Sequence, residues 1–175
     1  MGNKVFKADL SVESIENLKK QLLEYRNNEL PRKINLLLDR LKDLGVSEGE
    51  SRIAESPLGK YTHISVETSG LTRRILFVGE VKYSDGYAPF STILAIEFGS
   101  GISYNRKGNP NADKFGYGVG TFPNQLHAFE DGWYFWSEEK QEWIYTKGVR
   151  ATMPMYEAEK AIRDNVTKIA REVFG

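Results

Sequence analysis

The chain of 175 residues contains no cysteine, so it can form neither a disulfide framework nor a zinc site with thiolate ligands. A cysteine nucleophile is excluded for the same reason. Histidine is nearly as scarce, because only His63 and His127 are present and no metal-ligand spacing or nucleophile motif accompanies either one. We interpret both as structural or surface residues and predict no catalytic residue, no metal site and no cofactor.

Long hydrophobic runs and a surplus of one charge are also missing. No stretch approaches the roughly 18 apolar residues that a membrane helix needs, and charged side chains of both signs interrupt the N-terminal part throughout. The 24 lysines and arginines balance the 24 aspartates and glutamates, so no basic surface predicts a specific nucleic-acid partner. We therefore expect cytosolic synthesis, no signal peptide, no membrane insertion and a protein partner.

Apolar residues recur at three- and four-residue steps from Ser11 to Leu44, which is the period of one helix face. We predict a long N-terminal amphipathic helix with Ser11 as its N-cap and Gly45 as its left-handed stop. Pro31 lacks an amide proton, so a kink near residues 28–30, or a division into two consecutive helices, is expected. We expect the apolar stripe to cover the chain's own core, with a neighbouring subunit as the alternative.

The middle of the chain predicts an exposed connection, a hairpin and a short helix. Residues 45–60 are rich in Ser, Glu, Gly and Pro, which is typical of an exposed connection. Residues 61–68 and 73–83 predict two strands of an antiparallel hairpin that turns at residues 69–70. The apolar run 90–98 follows a proline and precedes a glycine, which favours a short helix over a strand. On the second strand, one face is predicted to carry Ile75, Phe77, Val81 and Tyr83.

The C-terminal half predicts an insert, a second hairpin and a final helix. Residues 102–125 are rich in Gly, Asn and Pro and predict a flexible insert. Residues 133–137 and 143–146 predict two aromatic strands around an acidic turn at residues 138–142. From Pro154 onward, apolar residues at helical spacing predict a C-terminal amphipathic helix. These residues are Met155, Ala158, Ile162, Val166, Ile169 and Val173.

These elements predict an α+β protein in which the long N-terminal helix and the C-terminal helix pack on a small antiparallel sheet. The length, together with a hydrophobic fraction of 40%, suits a single packed domain over residues 1–175. The flexible insert at residues 102–125 is expected to be part of that domain.

The tripeptide Glu80-Val81-Lys82 is similar to one half of the site of metal-dependent nucleases. In those enzymes the carboxylate holds Mg²⁺ and the lysine steadies the attacked phosphate. No aspartate lies between Arg52 and Gly79 to supply the usual second metal ligand. We therefore prefer a solvated strand edge here, and keep a Mg²⁺-dependent nuclease using Glu80 and Lys82 as the enzymatic alternative.

Aromatic residues provide the candidate interface. Alternation in a hairpin sends about half of the rings to each face, so some rings enter a core and others stay exposed. Exposed rings would form a protein-docking surface or a surface that stacks on sugars, and core packing is an equal alternative. The candidate interface residues are Trp133 and Trp136 in the second hairpin, and Tyr104, Phe115 and Tyr117 in the insert.

Four short motifs occur in a set order in the C-terminal half. They are AIEFGSGI at residues 95–102, WIYT at residues 143–146, Lys-Gly at residues 147–148 and MPMY at residues 153–156. In this order they resemble the HK97 gp10-like phage proteins. The long N-terminal helix and first hairpin match that family in arrangement, whereas the insert is longer than in a typical member.

The resemblance implies a structural tail-completion or neck protein of a long-tailed phage or prophage, with no enzymatic activity. Such a protein is made in the bacterial cytoplasm and is built into the virion as a ring between connector and tail tube. The implied partners are further copies of the chain, a tail terminator or tail tube protein, and a head-completion or connector protein. The implied structural residues are Glu97, Phe98, Gly99, Gly101, Trp143, Tyr145, Gly148 and Pro154.

Overall fold

A computed structural model gives the arrangement of most of the chain. The helices are α1 Val12–Glu24, α2 Leu30–Ala54, α3 Thr92–Phe98 and α4 Pro154–Phe174, with a π-helical turn at Tyr25–Glu29. The strands are β1 Thr62–Ser69, β2 Thr72–Gly79, β3 Val81–Lys82, β4 Phe90–Ser91, β5 Trp133–Ser137 and β6 Glu142–Thr146. The structure describes residues 5–83, 89–101, 108–115, 132–137 and 139–175.

The predicted N-terminal helix is confirmed, and Ser11 caps it by accepting a hydrogen bond from the Ser14 amide at 3.2 Å. Pro31 does not break the helix. The irregularity expected near residues 28–30 is the π-helical turn, in which the Leu30 amide donates to the Tyr25 carbonyl five residues earlier. A wider turn of this kind accommodates a proline ring that would otherwise crowd the carbonyl four residues before it.

Gly45 does not end the helix, and the exposed connection predicted at residues 45–60 is wrong over most of its length. The helix α2 continues to Ala54, and both Gly45 and Gly49 are buried within it. A Cβ atom at Gly45 would lie 2.6 Å from Ile162 Cδ1 and 2.7 Å from Ile75 Cδ1. The glycines therefore let α2 approach α4 and the first hairpin closely, and this packing overrides the preference of glycine for helix ends.

The first hairpin is confirmed. Its strands pair antiparallel from Thr62 opposite Gly79 to Ser69 opposite Thr72, and Gly70, with φ of +54°, lies in the turn. The turn is one residue later than predicted.

The predicted second strand ends early, because β2 stops at Gly79 and β3 pairs with β4 instead. A Cβ atom at Gly79 would lie 2.7 Å from the Ile93 amide nitrogen, so α3 closely covers this end of the strand. The predicted common face is interrupted, because Ile75 and Phe77 lie in β2 whereas Val81 and Tyr83 follow its end and are 45% and 78% exposed.

The short helix α3 and the C-terminal helix α4 are confirmed. The α3 helix ends at Gly99, with φ of +78°, and α4 begins at Pro154 after the left-handed Met153, with φ of +55°. The α4 helix runs antiparallel to α2, since Lys33 lies over the Phe174 ring and Arg40 forms an ion pair with Glu172 at 3.0 Å.

The α+β class is confirmed, although the described strands form three separate two-stranded antiparallel sheets rather than one sheet. A core cluster of Ala95, Phe98 and Ala112 packs α3 against the short 3-10 helix Ala112–Phe115. Over the described ranges, no helix combines the length and apolar character needed to cross a bilayer.

Candidate functional site

The second hairpin exposes four aromatic rings on one face. Trp136 lies opposite Trp143 and Tyr134 lies opposite Tyr145, and residues two apart along a strand share a face. Ring centroids are 5.8 Å apart in the tryptophan pair and 5.2 Å apart in the tyrosine pair. Tyr134 and Trp143 are each 65% exposed, Trp136 is 46% exposed and Tyr145 is 45% exposed. We call these four residues the aromatic face.

An ion pair fixes the turn of this hairpin. The Lys60 ammonium donates to the Glu139 carboxylate at 2.7 Å, and this hydrogen bond holds the pKa of Glu139 below its ordinary value. The contact joins the hairpin turn to the residues just before β1, although both side chains are mostly exposed. Glu142 at the start of β6 is exposed, so the end of the hairpin also presents an acidic side chain.

The N-terminal helix exposes a second apolar surface. All residues of α1 are described and none is buried. Val12 is 75% exposed, and a shallow groove of about 310 Å³ runs along the same face. We call it the α1 groove; its walls are Ile15, Leu18, Lys19, Leu22, Leu23 and Arg26. Among the described residues, the apolar groove is lined by two cations, Lys19 of α1 and Arg26 of the π-helical turn, and by no acid.

The motif residues of the C-terminal half meet around one buried carboxylate. Glu97 at the end of α3 is fully buried. Its carboxylate accepts hydrogen bonds from the Met155 amide at 2.8 Å, the Tyr156 amide at 3.1 Å and the Asn109 side-chain amide at 2.7 Å. The first two donors belong to the first turn of α4, so Glu97 caps that helix from a distant part of the chain.

Backbone contacts join the other motifs to the same place. The Ser100 amide donates to the Val149 carbonyl at 2.8 Å, and the Thr152 amide donates to the Ile96 carbonyl at 2.9 Å. Gly148 has φ of +101°, and a Cβ atom there would overlap the Ser100 carbonyl. The segments at residues 95–101, 147–149 and 152–156 are therefore one packed unit.

The remaining motif residues have various surroundings. Phe98 is buried and packs on Phe115, with centroids 5.6 Å apart, whereas Phe115 is 62% exposed. Gly101 has φ of +59°. Trp143 and Tyr145 belong to the aromatic face rather than to the unit around Glu97. Outside the described part of the chain lie Tyr104, Tyr117, His127 and the side chain of Trp133.

Sequence reasoning missed Asn109. It lies in the segment predicted to be flexible, yet there its side chain donates to Glu97 and the nearby Ala112 is only 2% exposed. The rest of the predicted insert lies outside the described residues. A local Asn-Pro-Asn turn was visible in the sequence, but nothing local indicated that Asn109 would bind Glu97.

Among the described residues, the nuclease alternative gains no second metal ligand. Glu80 and Lys82 are both exposed, and the Lys82 ammonium lies 3.8 Å from the centroid of the Tyr61 ring. Over the residues that the structure describes, no group of three or more His, Asp or Glu side chains is placed to hold a metal ion.

Comparisons of the chain with protein-family models, with curated proteins and with solved structures give no match. The resemblance to the HK97 gp10-like proteins therefore depends on the four ordered motifs. The exposed surfaces on α1 and on the second hairpin are observations that do not depend on that resemblance.

Proposed function

We propose that the chain is a non-enzymatic structural subunit of a bacteriophage particle, a tail-completion or neck protein that joins head to tail. The observation that carries this proposal is α1, an amphipathic helix with no buried residue and an exposed apolar groove. An exposed apolar surface of this kind is typical of a protein interface. In this proposal the helix becomes covered when the subunit joins a ring and its neighbours in the particle.

The packed unit around Glu97 supports the same proposal. The motifs that resemble the phage family are distant in sequence, and three of them meet through hydrogen bonds of Glu97, Ser100 and Ile96. Residues that cooperate in one structural unit are expected to occur as a set. The resemblance implies a structural turn at residues 97–99, a tight backbone position at Gly148 and the entry to the last helix at residues 153–154, and the positive φ of Gly99, Gly148 and Met153 agrees with these roles.

Carbohydrate binding is a second candidate, because the aromatic face exposes Trp136 and Trp143 side by side. Flat exposed rings can stack on sugars as well as on proteins. Titration with cell-wall oligosaccharides would reveal saturable binding that is lost in Trp136→Ala. Such binding would favour this candidate over the particle subunit.

The proposal is tested by deleting the gene from the phage or prophage that encodes it and examining the particles by negative-stain microscopy. We expect filled heads and separate tails, and intact particles when a plasmid supplies the wild-type protein. An empty plasmid is the control. Normal infectious particles after deletion would contradict the proposal, as would Mg²⁺-dependent DNA cleavage by the purified protein that Glu80→Ala abolishes.

A further inference from the structure

We infer that the aromatic face of one copy docks into the α1 groove of a second copy, in a head-to-tail contact between identical chains. The inference rests on the proposed function, since it specifies how neighbouring subunits of the ring meet. The proposed occupant of the groove is thus a second copy of this chain, and the anchors are its tryptophan and tyrosine rings.

The two surfaces match in kind. The groove is a shallow apolar concavity of about 310 Å³ along one helix, and the aromatic face is a set of rings standing on a narrow two-stranded ribbon. Trp and Tyr anchors seated in apolar depressions contribute most of the binding energy in many protein interfaces. Leu22, 44% exposed, and Trp143, 65% exposed, would both lose their contact with water in such a contact.

Electrostatics favours the same pairing. Lys19 and Arg26 line the groove, and the faces of aromatic rings attract cations. Glu142 and Lys140 are both exposed at the turn end of the hairpin, so the ring faces themselves supply the attraction for the cations of the groove. A symmetric contact between two α1 grooves would instead bring Lys19 and Arg26 of both copies together, which like-charge repulsion disfavours.

The location of the surfaces determines the type of assembly. They lie on different elements, so a copy that offers its hairpin to one neighbour keeps its α1 groove for another. Such a heterologous contact closes a ring when the rotation between neighbours allows it, whereas a reciprocal contact, in which each groove takes the hairpin of the other copy, would stop at a two-fold dimer. The absence of buried residues in α1 means that this helix can give its apolar face to a neighbour without losing core packing of its own.

Cross-linking tests the contact directly, because the natural chain has no cysteine to interfere. Glu16→Cys, beside the groove, is combined with Lys140→Cys, at the hairpin turn, in separately tagged copies of the full-length protein that are mixed and oxidised, so that the anchors of both surfaces stay intact. We expect the mixed disulfide between α1 and the hairpin to exceed the share given by random pairing. Thr68→Cys on the exposed part of β1 replaces the hairpin cysteine as the control. Random pairing, or a dominant α1-to-α1 product, overturns the inference.

Tryptophan fluorescence gives an independent measurement, since Trp133, Trp136 and Trp143 are the three tryptophans of the chain and all belong to the second hairpin. Raising the protein concentration should shift the emission to shorter wavelengths as docking removes the rings from water. Leu22→Glu should weaken this self-association by about 30-fold, the effect of losing an interface anchor. An unchanged concentration dependence in Leu22→Glu overturns the inference.

The matched control is Gln21→Glu, which adds the same charge one residue away but outside the groove and should leave the shift unchanged. Because Leu22 is not buried, both variants should keep the wild-type circular dichroism spectrum. If the cross-links are random and Leu22→Glu still rescues the deleted phage, the proposed docking contact is contradicted but the proposed function is not. If the phage without this gene still makes normal particles, the proposed function is contradicted, whichever cross-links form.

Discussion

Glu97 shows how a buried acid can be part of a stable core. Three N–H donors share its two carboxylate oxygens, and two of these donors are amides at the start of α4, where the helix dipole favours negative charge. Burial nevertheless raises the pKa of Glu97 above its ordinary value, and the hydrogen bonds from Met155, Asn109 and Tyr156 work against that shift. A buried carboxyl without these donors would be strongly destabilising.

Replacement of Glu97 by Gln should lower the free energy of unfolding by about 1–3 kcal/mol. The substitution keeps the shape, but an amide NH₂ would face one of the backbone or side-chain N–H donors, leaving a buried donor without an acceptor. Urea denaturation followed by circular dichroism measures the loss. The exposed residue Glu159 on α4, the helix that Glu97 caps, provides the control, and Glu159→Gln should cost less than about 0.5 kcal/mol.

The stability difference between wild type and Glu97→Gln should depend on pH. Because the pKa of Glu97 is raised on folding, the folded state holds this proton more tightly than the unfolded state. The contribution of Glu97 is therefore complete below the ordinary pKa of the unfolded carboxyl and declines as pH rises through the raised folded pKa. Urea titrations across that interval should show the wild-type advantage shrinking with rising pH, and an advantage that grew would refute this assignment.

Arg73 is a second residue whose role depends on several N–H donors of one side chain. Its side chain is 9% exposed and donates to Asp39 at 2.6 Å, to Asn35 at 2.8 Å and to the Gly70 carbonyl at 2.9 Å. The guanidinium thus joins the hairpin turn to α2. The same hydrogen bond from Arg73 is the main cause of the lowered pKa of Asp39.

The single ammonium of lysine cannot make the same set of hydrogen bonds as the planar guanidinium, so Arg73→Lys should destabilise the protein by about 1–3 kcal/mol. The neighbouring Arg74 gives a matched control, because its ion pair with Glu67 is exposed. Arg74→Lys should change the free energy of unfolding by less than about 0.5 kcal/mol. Equal changes in the free energy of unfolding for the two substitutions would show that the contacts of Arg73 stabilise the fold no more than an exposed ion pair does.

At the scale of elements, α2 is the one that both α4 and the first hairpin pack against. Gly45 lies at the contact with α4, and Gly49 lies against Phe77 and Ile64 of the first hairpin. Helical glycine normally reduces stability, by about 1 kcal/mol relative to alanine. These two positions reverse that expectation, because the absent side chain is what permits the close approach.

Gly49→Ala should therefore destabilise the protein, although alanine is the better helix former. The added Cβ would lie 2.6 Å from Phe77 Cε1, on a ring that cannot bend away as a flexible chain end can. Such overpacking costs about 1–3 kcal/mol. Ser47→Ala, at an exposed position of the same helix, should be neutral or slightly stabilising. Thermal or urea unfolding of both variants decides the matter, and a more stable Gly49→Ala would contradict the close packing.

At the scale of the whole molecule, the single domain expected over residues 1–175 has a simple experimental consequence. Tryptophan fluorescence reports the second hairpin, since the three tryptophans lie there, whereas far-ultraviolet circular dichroism reports mainly α1, α2 and α4. The Lys60–Glu139 ion pair joins the hairpin turn to the residues before β1, and the Ser100 amide joins the end of α3 to Val149 after β6.

We expect the fluorescence and circular dichroism curves to coincide during urea denaturation, as they do when one cooperative unit unfolds. The experiment should be performed at low protein concentration, where the proposed docking between copies does not contribute. A hairpin transition at lower urea than the helical one would show that the hairpin is a separate unit and would contradict the single domain.

The candidate surfaces were only partly predictable. Periodicity indicated the apolar stripe of α1 and the alternation of the β5–β6 hairpin, because both follow from local geometry. Neither pattern distinguishes a face that enters the chain's own core from one that stays exposed. The structure made that distinction for Ile15, Leu22, Trp136 and Trp143, which remain exposed because no described element packs over them.

What the sequence determined by itself depends on neighbouring residues along the chain. The N-cap at Ser11, the first hairpin, the short helix before Gly99 and the start of α4 at Pro154 were all predictable, because capping, turn chemistry and periodicity act within a few residues. Tertiary structure decided that α2 continues through Gly45 and that Asn109 and α4 share the carboxylate of Glu97. The physical reason is that close packing and burial of a charge depend on partners distant in sequence, which local pattern does not contain.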